Sequence, residues 1–219
     1  MTLSPLAGLL ARKRLLIFDL DGTIVDSSPL HARAFNEAFG PEGVAVDYGR
    51  IAGMTTDNAV DKVAGEAGLA LAPERRSLLI ADKRARARRL IEAELEALEG
   101  SIDFLAYARG RYRLALCTSG SRSTVEATLR KVGIENWFQP VVAAEDVAVG
   151  KPDPEGFLKA LHANGVPAHE ALVFEDAESG LAAAAAAGIE AVHVVPGRAG
   201  DGPQADWQAL NAALREARP

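Results

Sequence analysis

Short apolar runs, recurring along the chain with helix-like segments between the later ones, constrain the fold most. They are Arg14–Leu20 (RLLIFDL), Tyr112–Thr118 (YRLALCT), Val141–Ala144 (VVAA), Ala171–Asp176 (ALVFED) and Ala191–Pro196 (AVHVVP). Nearly unbroken apolarity, without in/out alternation, is what a strand covered on both faces requires. Three of the intervening segments carry helix punctuation. Ser121–Gly133 opens on hydroxyl caps and closes on glycine, and Asp153–Gly165 offers an aspartate cap followed by Pro154. Glu178–Ile189 is alanine-rich and can lie close against a sheet, and residues 205–217 read as a closing helix. The pattern predicts an α/β fold with a doubly wound parallel sheet.

Residues 28–98 depart from this rhythm and contain no convincing strand. Ser28-Pro29 starts a helix ending near Gly40, Thr56-Asp57 caps another, and Pro73-Glu74 opens a long charged one. A parallel crossover needs only about a dozen residues, so this segment is read as an inserted helical subdomain, a natural lid. The predicted division is a core of residues 1–27 and 99–219 with a cap of residues 28–98.

Composition sets limits on partners. The 219 residues are 48% hydrophobic and only 5% aromatic, as expected for a globular chain with an aliphatic core. A net charge of −6 argues against nucleic acid. The single Cys117 cannot form an internal disulfide, which fits a reducing compartment. The N-terminal basic cluster follows its short apolar run, the reverse of a secretory signal, and no apolar stretch is long enough to span a membrane. A cytoplasmic protein without a membrane partner is expected, and a monomer, because the cap already shields the site.

Polar residues at the ends of the apolar runs carry the chemistry. DLDGTIVDSSP places Asp19 and Asp21 one residue apart at the carboxyl end of the first strand, where open α/β sheets bind ligands. Two neighbouring carboxylates repel unless a cation, a shared proton or the backbone separates them. Asp-Gly is also ordinary turn chemistry. The second strand ends in Thr118 and Ser119, whose hydroxyls and backbone N–H groups suit a phosphate oxygen and equally a helix cap. Lys151 precedes a Pro-Asp-Pro helix start, and Glu175-Asp176 closes the fourth strand with the hard oxygens that Mg2+ prefers. In a parallel sheet all four features fall on one edge.

On these residues the chain resembles the haloacid dehalogenase superfamily. Asp19, Asp21 and Thr23 match its Asp-x-Asp-x-Thr motif, Thr118 its strand-end hydroxyl, Lys151 its lysine, and Glu175-Asp176 its acidic pair followed by Gly180. The similarity covers essentially the whole chain and lies near β-phosphoglucomutases, phosphoglycolate phosphatases and sugar-phosphate phosphatases. It implies strand order 3-2-1-4-5, with the helical insertion as the cap. It further implies a Mg2+-dependent phosphohydrolase of a small phosphorylated metabolite, a sugar phosphate or a phosphoglycolate-like acid.

The resemblance also implies the roles. Asp19 is the nucleophile that becomes an aspartyl-phosphate, and Asp21 the general acid and base. Thr118, Lys151 and the Ser119 backbone N–H balance the phosphoryl charge. Asp19, the Asp21 carbonyl and Asp176 hold Mg2+, with Glu175 ligating directly or through water. Retention of Asp21 argues against a haloacid substrate. His31 matches a cap-hinge histidine that can assist Asp21, or lies on a helix surface, and Gly53 matches a substrate-facing cap loop. Where the mutase has a phosphate-binding arginine this chain has Thr56, which argues against the alternative of a phosphosugar mutase. Lys83, from ADKRARARRL, and Arg122 are the further substrate-binding candidates, each otherwise a surface group. His193, Trp137, Phe138, Trp207 and Cys117 read as structural. A non-enzymatic phospho-receiver domain has similar groups, but the resemblance implies that its acceptor aspartate follows a later strand and that it has no cap.

Overall fold

The computed structural model of the chain describes residues 3–197 and 203–217. Within them lie strands β1 (Leu15–Phe18), β2 (Arg113–Cys117), β3 (Val141–Val142), β4 (Ala171–Glu175), β5 (Glu190–Val194) and β6 (Gln204–Ala205). They form one parallel sheet in the order β3-β2-β1-β4-β5-β6. The five expected strands are present, shorter than their apolar runs, and take the expected order. The added β6 pairs His193 with Gln204 and Val194 with Ala205. At two residues it carries no sequence period of its own.

Alternation within the strands sends side chains to two separate cores. Leu16, Phe18, Leu116, Leu172, Phe174, Val192 and Val194 pack on one face, against helices α1 (Pro5–Leu10), α5 (Ser101–Ala108), α6 (Arg122–Val132) and α9 (Trp207–Glu216). Leu15, Ile17, Ala115, Cys117 and Val173 pack on the other, against α7 (Glu155–Asn164) and α8 (Glu178–Ala186). Period-two alternation therefore survives in which face each residue enters, while both faces demand apolar residues. The first core holds an aromatic cluster, with Phe18 stacked on Phe174 at 4.7 Å and Trp207 on Phe174 at 5.9 Å. The α7 start differs slightly from expectation: Pro154 itself is the cap residue, and Asp153 Oδ1 accepts from Glu155 N at 2.9 Å.

Between β1 and β2 the chain forms α2 (Ser28–Phe39), α3 (Thr56–Glu66) and α4 (Pro73–Glu94). These helices share a core of their own, including Phe35, Phe39, Ile51, Val60, Leu79 and Ile80. The segment leaves and returns side by side: Asp26 N donates to Glu96 O at 3.0 Å and Leu98 N to Ile24 O at 2.9 Å. Ile91 and Leu95, at the far end of α4, belong instead to the first sheet core.

Candidate active site

The carboxyl ends of β1, β2 and β4 open onto one cavity, and the inserted helices wall its other side. Asp19 follows β1, and its backbone N–H continues the ladder to Phe174 O at 2.9 Å. Its carboxylate is buried, with one oxygen accepting from Lys151 Nζ at 2.6 Å. The same ammonium binds Glu175. Oxygen atoms of Asp19, Glu175 and Asp176 lie within 4.8 Å of one another.

Glycines make this packing possible. Gly22 sits at φ +85°, and a Cβ there would overlap the Asp176 carboxylate. A Cβ on Gly180, in the first turn of α8, would overlap Glu175. Thr23 Oγ donates to Asp176 Oδ1 at 3.0 Å, and Ala177 N to Glu175 Oε2 at 3.1 Å. His193 Nε2 lies 3.0 Å from the Asp176 carbonyl oxygen, so this histidine supports the acid from behind.

The electrostatics match the crowding. Burial pushes the Asp19 carboxyl well above its ordinary range; Lys151 opposes this, while Glu175, Asp176 and Asp21 reinforce it. Burial and the neighbouring Glu175 push Asp176 up to about 6. Burial works against the Lys151 charge, yet Asp19 and Glu175 outweigh it and raise that pKa. Burial pushes the Cys117 thiol up to about 12, consistent with its reading as a packed, inert residue.

Asp21 has a different environment. Ser27 Oγ donates to its Oδ1 at 2.6 Å, and His31 Nε2 lies 3.2 Å from the same oxygen. Lys83 Nζ stands 3.0 Å from His31 Nδ1. An ammonium has no acceptor, so it donates to Nδ1, which leaves the His31 proton on Nε2 facing Asp21. Burial alone would raise the Asp21 pKa, but His31, Ser27 and Lys83 bring it down to about 2. Burial lowers Lys83 to about 8 despite the attraction of Asp21. Two separately read candidates, His31 and Lys83, thus form one hydrogen-bonded line ending on Asp21.

Thr118 and Ser119 line the cavity as expected, and Thr118 Oγ accepts from Gly120 N at 3.0 Å. Ser119 Oγ is buried with no partner among the described residues. Gly53 reaches the cavity at φ +78°, and a Cβ there would stand 2.7 Å from Ser179 Oγ. Arg122 is not brought in: its guanidinium binds Asp146 and its backbone N–H donates to Glu145 at 2.8 Å. Its nearness in sequence to Thr118 suggested a substrate contact, but partners 23 and 24 residues further on pull it away. Tyr48 also lines the cavity, its ring 6.3 Å from that of His31. No motif or periodicity marks that tyrosine in the sequence.

The residues fit a hard divalent cation. Three carboxylates supply only oxygen donors at converging positions. Burial first, and then the neighbouring carboxylates, disfavour the charged forms of Asp19 and Asp176, and a bound cation would favour them.

Comparison with known proteins agrees with this geometry. The sequence model of the haloacid dehalogenase-like hydrolases matches residues 13–188. The chain is 33% identical to the fructose-1-phosphate phosphatase of Escherichia coli, over 82% of this chain and 95% of that protein. It is 31% identical to the phosphorylated carbohydrates phosphatase of Thermotoga maritima, over 85% and 87%. The crystal structure of CbbY from Rhodobacter sphaeroides in complex with xylulose 1,5-bisphosphate superposes with a TM-score of 0.80 at 29% identity, covering 92% of this chain and 99% of that one. The sheet order, the site at the strand ends and these matches together place the chain in the family of haloacid dehalogenase-like hydrolases.

Proposed function

We propose that the protein is a Mg2+-dependent phosphatase that cleaves a small phosphate monoester through an aspartyl-phosphate on Asp19. The observation that carries this reading is the convergence of Asp19 with Glu175 and Asp176 within 4.8 Å. Lys151 stands 2.6 Å from Asp19 in the same cluster. The phosphatases among its relatives support it, since they act on phosphorylated carbohydrates. Residues 28–98 are then the cap over the site.

Asp19, Asp176 and, directly or through water, Glu175 would hold the ion, with the Asp21 carbonyl completing the protein's share. When bound, Mg2+ supplies positive charge that lets one anion approach another. The Asp19 carboxylate attacks phosphorus, an Asp19–phosphorus bond forms, and the bond to the leaving oxygen breaks. Lys151, Thr118 and the Ser119 N–H offset charge on the phosphoryl oxygens.

The proton for the leaving alcohol passes through Asp21 from His31 Nε2 while Lys83 Nζ delivers one to Nδ1. The imidazole thus stays neutral, Lys83 becomes the amine, and the proton taken up in the water step returns along the same line. With its pKa held near 2, Asp21 is ionised beforehand and suited to the second step. There it takes a proton from water, whose oxygen attacks phosphorus and releases Asp19 and inorganic phosphate.

The test is phosphate release from a panel of metabolite esters, with and without Mg2+. Metal-dependent release is expected, and Asp19→Asn should lower it at least about 10³-fold. With β-glucose 1-phosphate, inorganic phosphate should appear; glucose 6-phosphate without it would support a mutase instead.

A further inference from the structure

Opposite the acids, the cavity wall holds few cations, and they are already engaged. Besides Lys151, which is committed to Asp19 and Glu175, the described residues lining it that can carry positive charge are His31 and Lys83, against the carboxylates of Asp19, Asp21, Glu175 and Asp176. Lys83 is 4% exposed, donates to His31, and lies 4.4 Å over the Phe35 ring. Asp21 already draws on its charge. The nearby arginines are tied outside the cavity: Arg84 to Asp57 at 2.6 Å, Arg88 to Ser123 at 3.0 Å, and Arg122 to Asp146.

Uncharged hydrogen-bonding groups stand in the same wall instead. Tyr48 lines the cavity, and burial together with Asp21, Asp176 and Asp19 keeps its phenol protonated. Thr56 lines the wall at the start of α3, and across the cavity, after β2, the buried Ser119 hydroxyl has no partner among the described residues. Neutral hydroxyls match the hydroxyls of a sugar or polyol. They cannot offset a second dianion brought beside an acidic cluster in a poorly solvated cavity.

We propose that the protein selects esters with a single phosphoryl group on an uncharged, hydroxyl-bearing body, and rejects sugar bisphosphates and phosphorylated carboxylic acids. This rests on the phosphatase reading above and narrows its substrate class.

The test uses the full chain with Mg2+ and three esters: fructose 1-phosphate, fructose 1,6-bisphosphate and phosphoglycolate. kcat/KM for the first should exceed each of the others by at least about 100-fold. Equal or inverted values would overturn the selectivity and leave the phosphatase reading standing. Hydrolysis of no ester in the wider panel would remove that reading. Affinity measured by calorimetry on Asp19→Asn protein then still decides selectivity, the monophosphate being expected to bind more tightly. Met54 lines the same cavity beside Gly53, so Met54→Arg adds a guanidinium there and should narrow the gap at least about tenfold. A gap unchanged in a variant of unaltered melting temperature would count against the proposal.

Discussion

Two glycines hold acids in place by having no side chain. Gly180 packs against the Glu175 carboxylate, so Gly180→Ala should displace it and cost about 1–3 kcal/mol of stability. Denaturant melts check the stability, and a Mg2+ titration should show weakened affinity; native affinity in a stable variant would refute the close-packing argument. The residues of the motifs were legible because their chemistry is written in residue type: acids, a hydroxyl and a lysine at strand ends. Their supports were less so. The Thr23 bond to Asp176 and the Lys83 bond to His31 join positions far apart in sequence, and no local pattern encodes them. Arg122 misled for the same reason, since its partner Asp146 is fixed only by folding. Tyr48 opens a short 3-10 turn, Tyr48–Arg50, that is positioned by ring packing against His31 and Phe35.

At the scale of elements, legibility followed length. β1, β2, β4 and β5 each carry at least four residues, enough for an apolar run to stand out; β3 and β6 carry two each, and β3 was legible because its apolar run continues to Ala144. Helix α5 was hidden because it opens behind Gly100 at φ +82° without a side-chain cap. The alanines of α8 were readable as a close-packing face. Ala183 and Ala184 are fully buried against the second sheet core. Ala183→Leu should therefore overpack that interface and cost about 1–3 kcal/mol, read as a lowered denaturation midpoint at unchanged m-value. A neutral substitution would mean that α8 can retreat from the sheet. Trp207, at the start of α9, donates to the Thr23 carbonyl at 2.8 Å and so ties the last helix to the first motif. Trp207→Phe keeps most of the packing and should cost about 1–3 kcal/mol through the buried carbonyl left unpaired. Double-mutant melts with Thr23→Val would show whether the loss spreads to the Asp176 side of the site.

For the molecule as a whole, the inserted helices and the sheet meet through α4. Leu79 and Ile80 belong to one core, Ile91 and Leu95 to the other. The cavity between them concentrates acids whose repulsion the fold sustains, and this gives stability a definite dependence on pH. Asp176 is held at about 6, above the ordinary range of an aspartate, so the folded state holds the proton more tightly. Its contribution is fully present below the unfolded value and is lost as pH rises through about 6. Asp19 shifts in the same direction. Mg2+ competes with those protons. Its stabilising effect should be small near pH 5 and grow as pH rises through about 6, reaching about 2.7 kcal/mol at one hundred times Kd. Melting curves with and without Mg2+ at several pH values check this. A Mg2+ effect independent of pH would place the ion elsewhere.

The claim on which the chemistry turns is that phosphorus passes onto Asp19. Asp21→Asn protein, given Mg2+ and p-nitrophenyl phosphate, has a leaving group that needs no proton but lacks the base for the water step. Acid-quenched samples analysed by peptide mass spectrometry should carry one added phosphoryl group on the peptide containing Asp19, removable by hydroxylamine. Steady consumption of the ester with Asp19 unmodified, or with the label on another residue, would contradict the account.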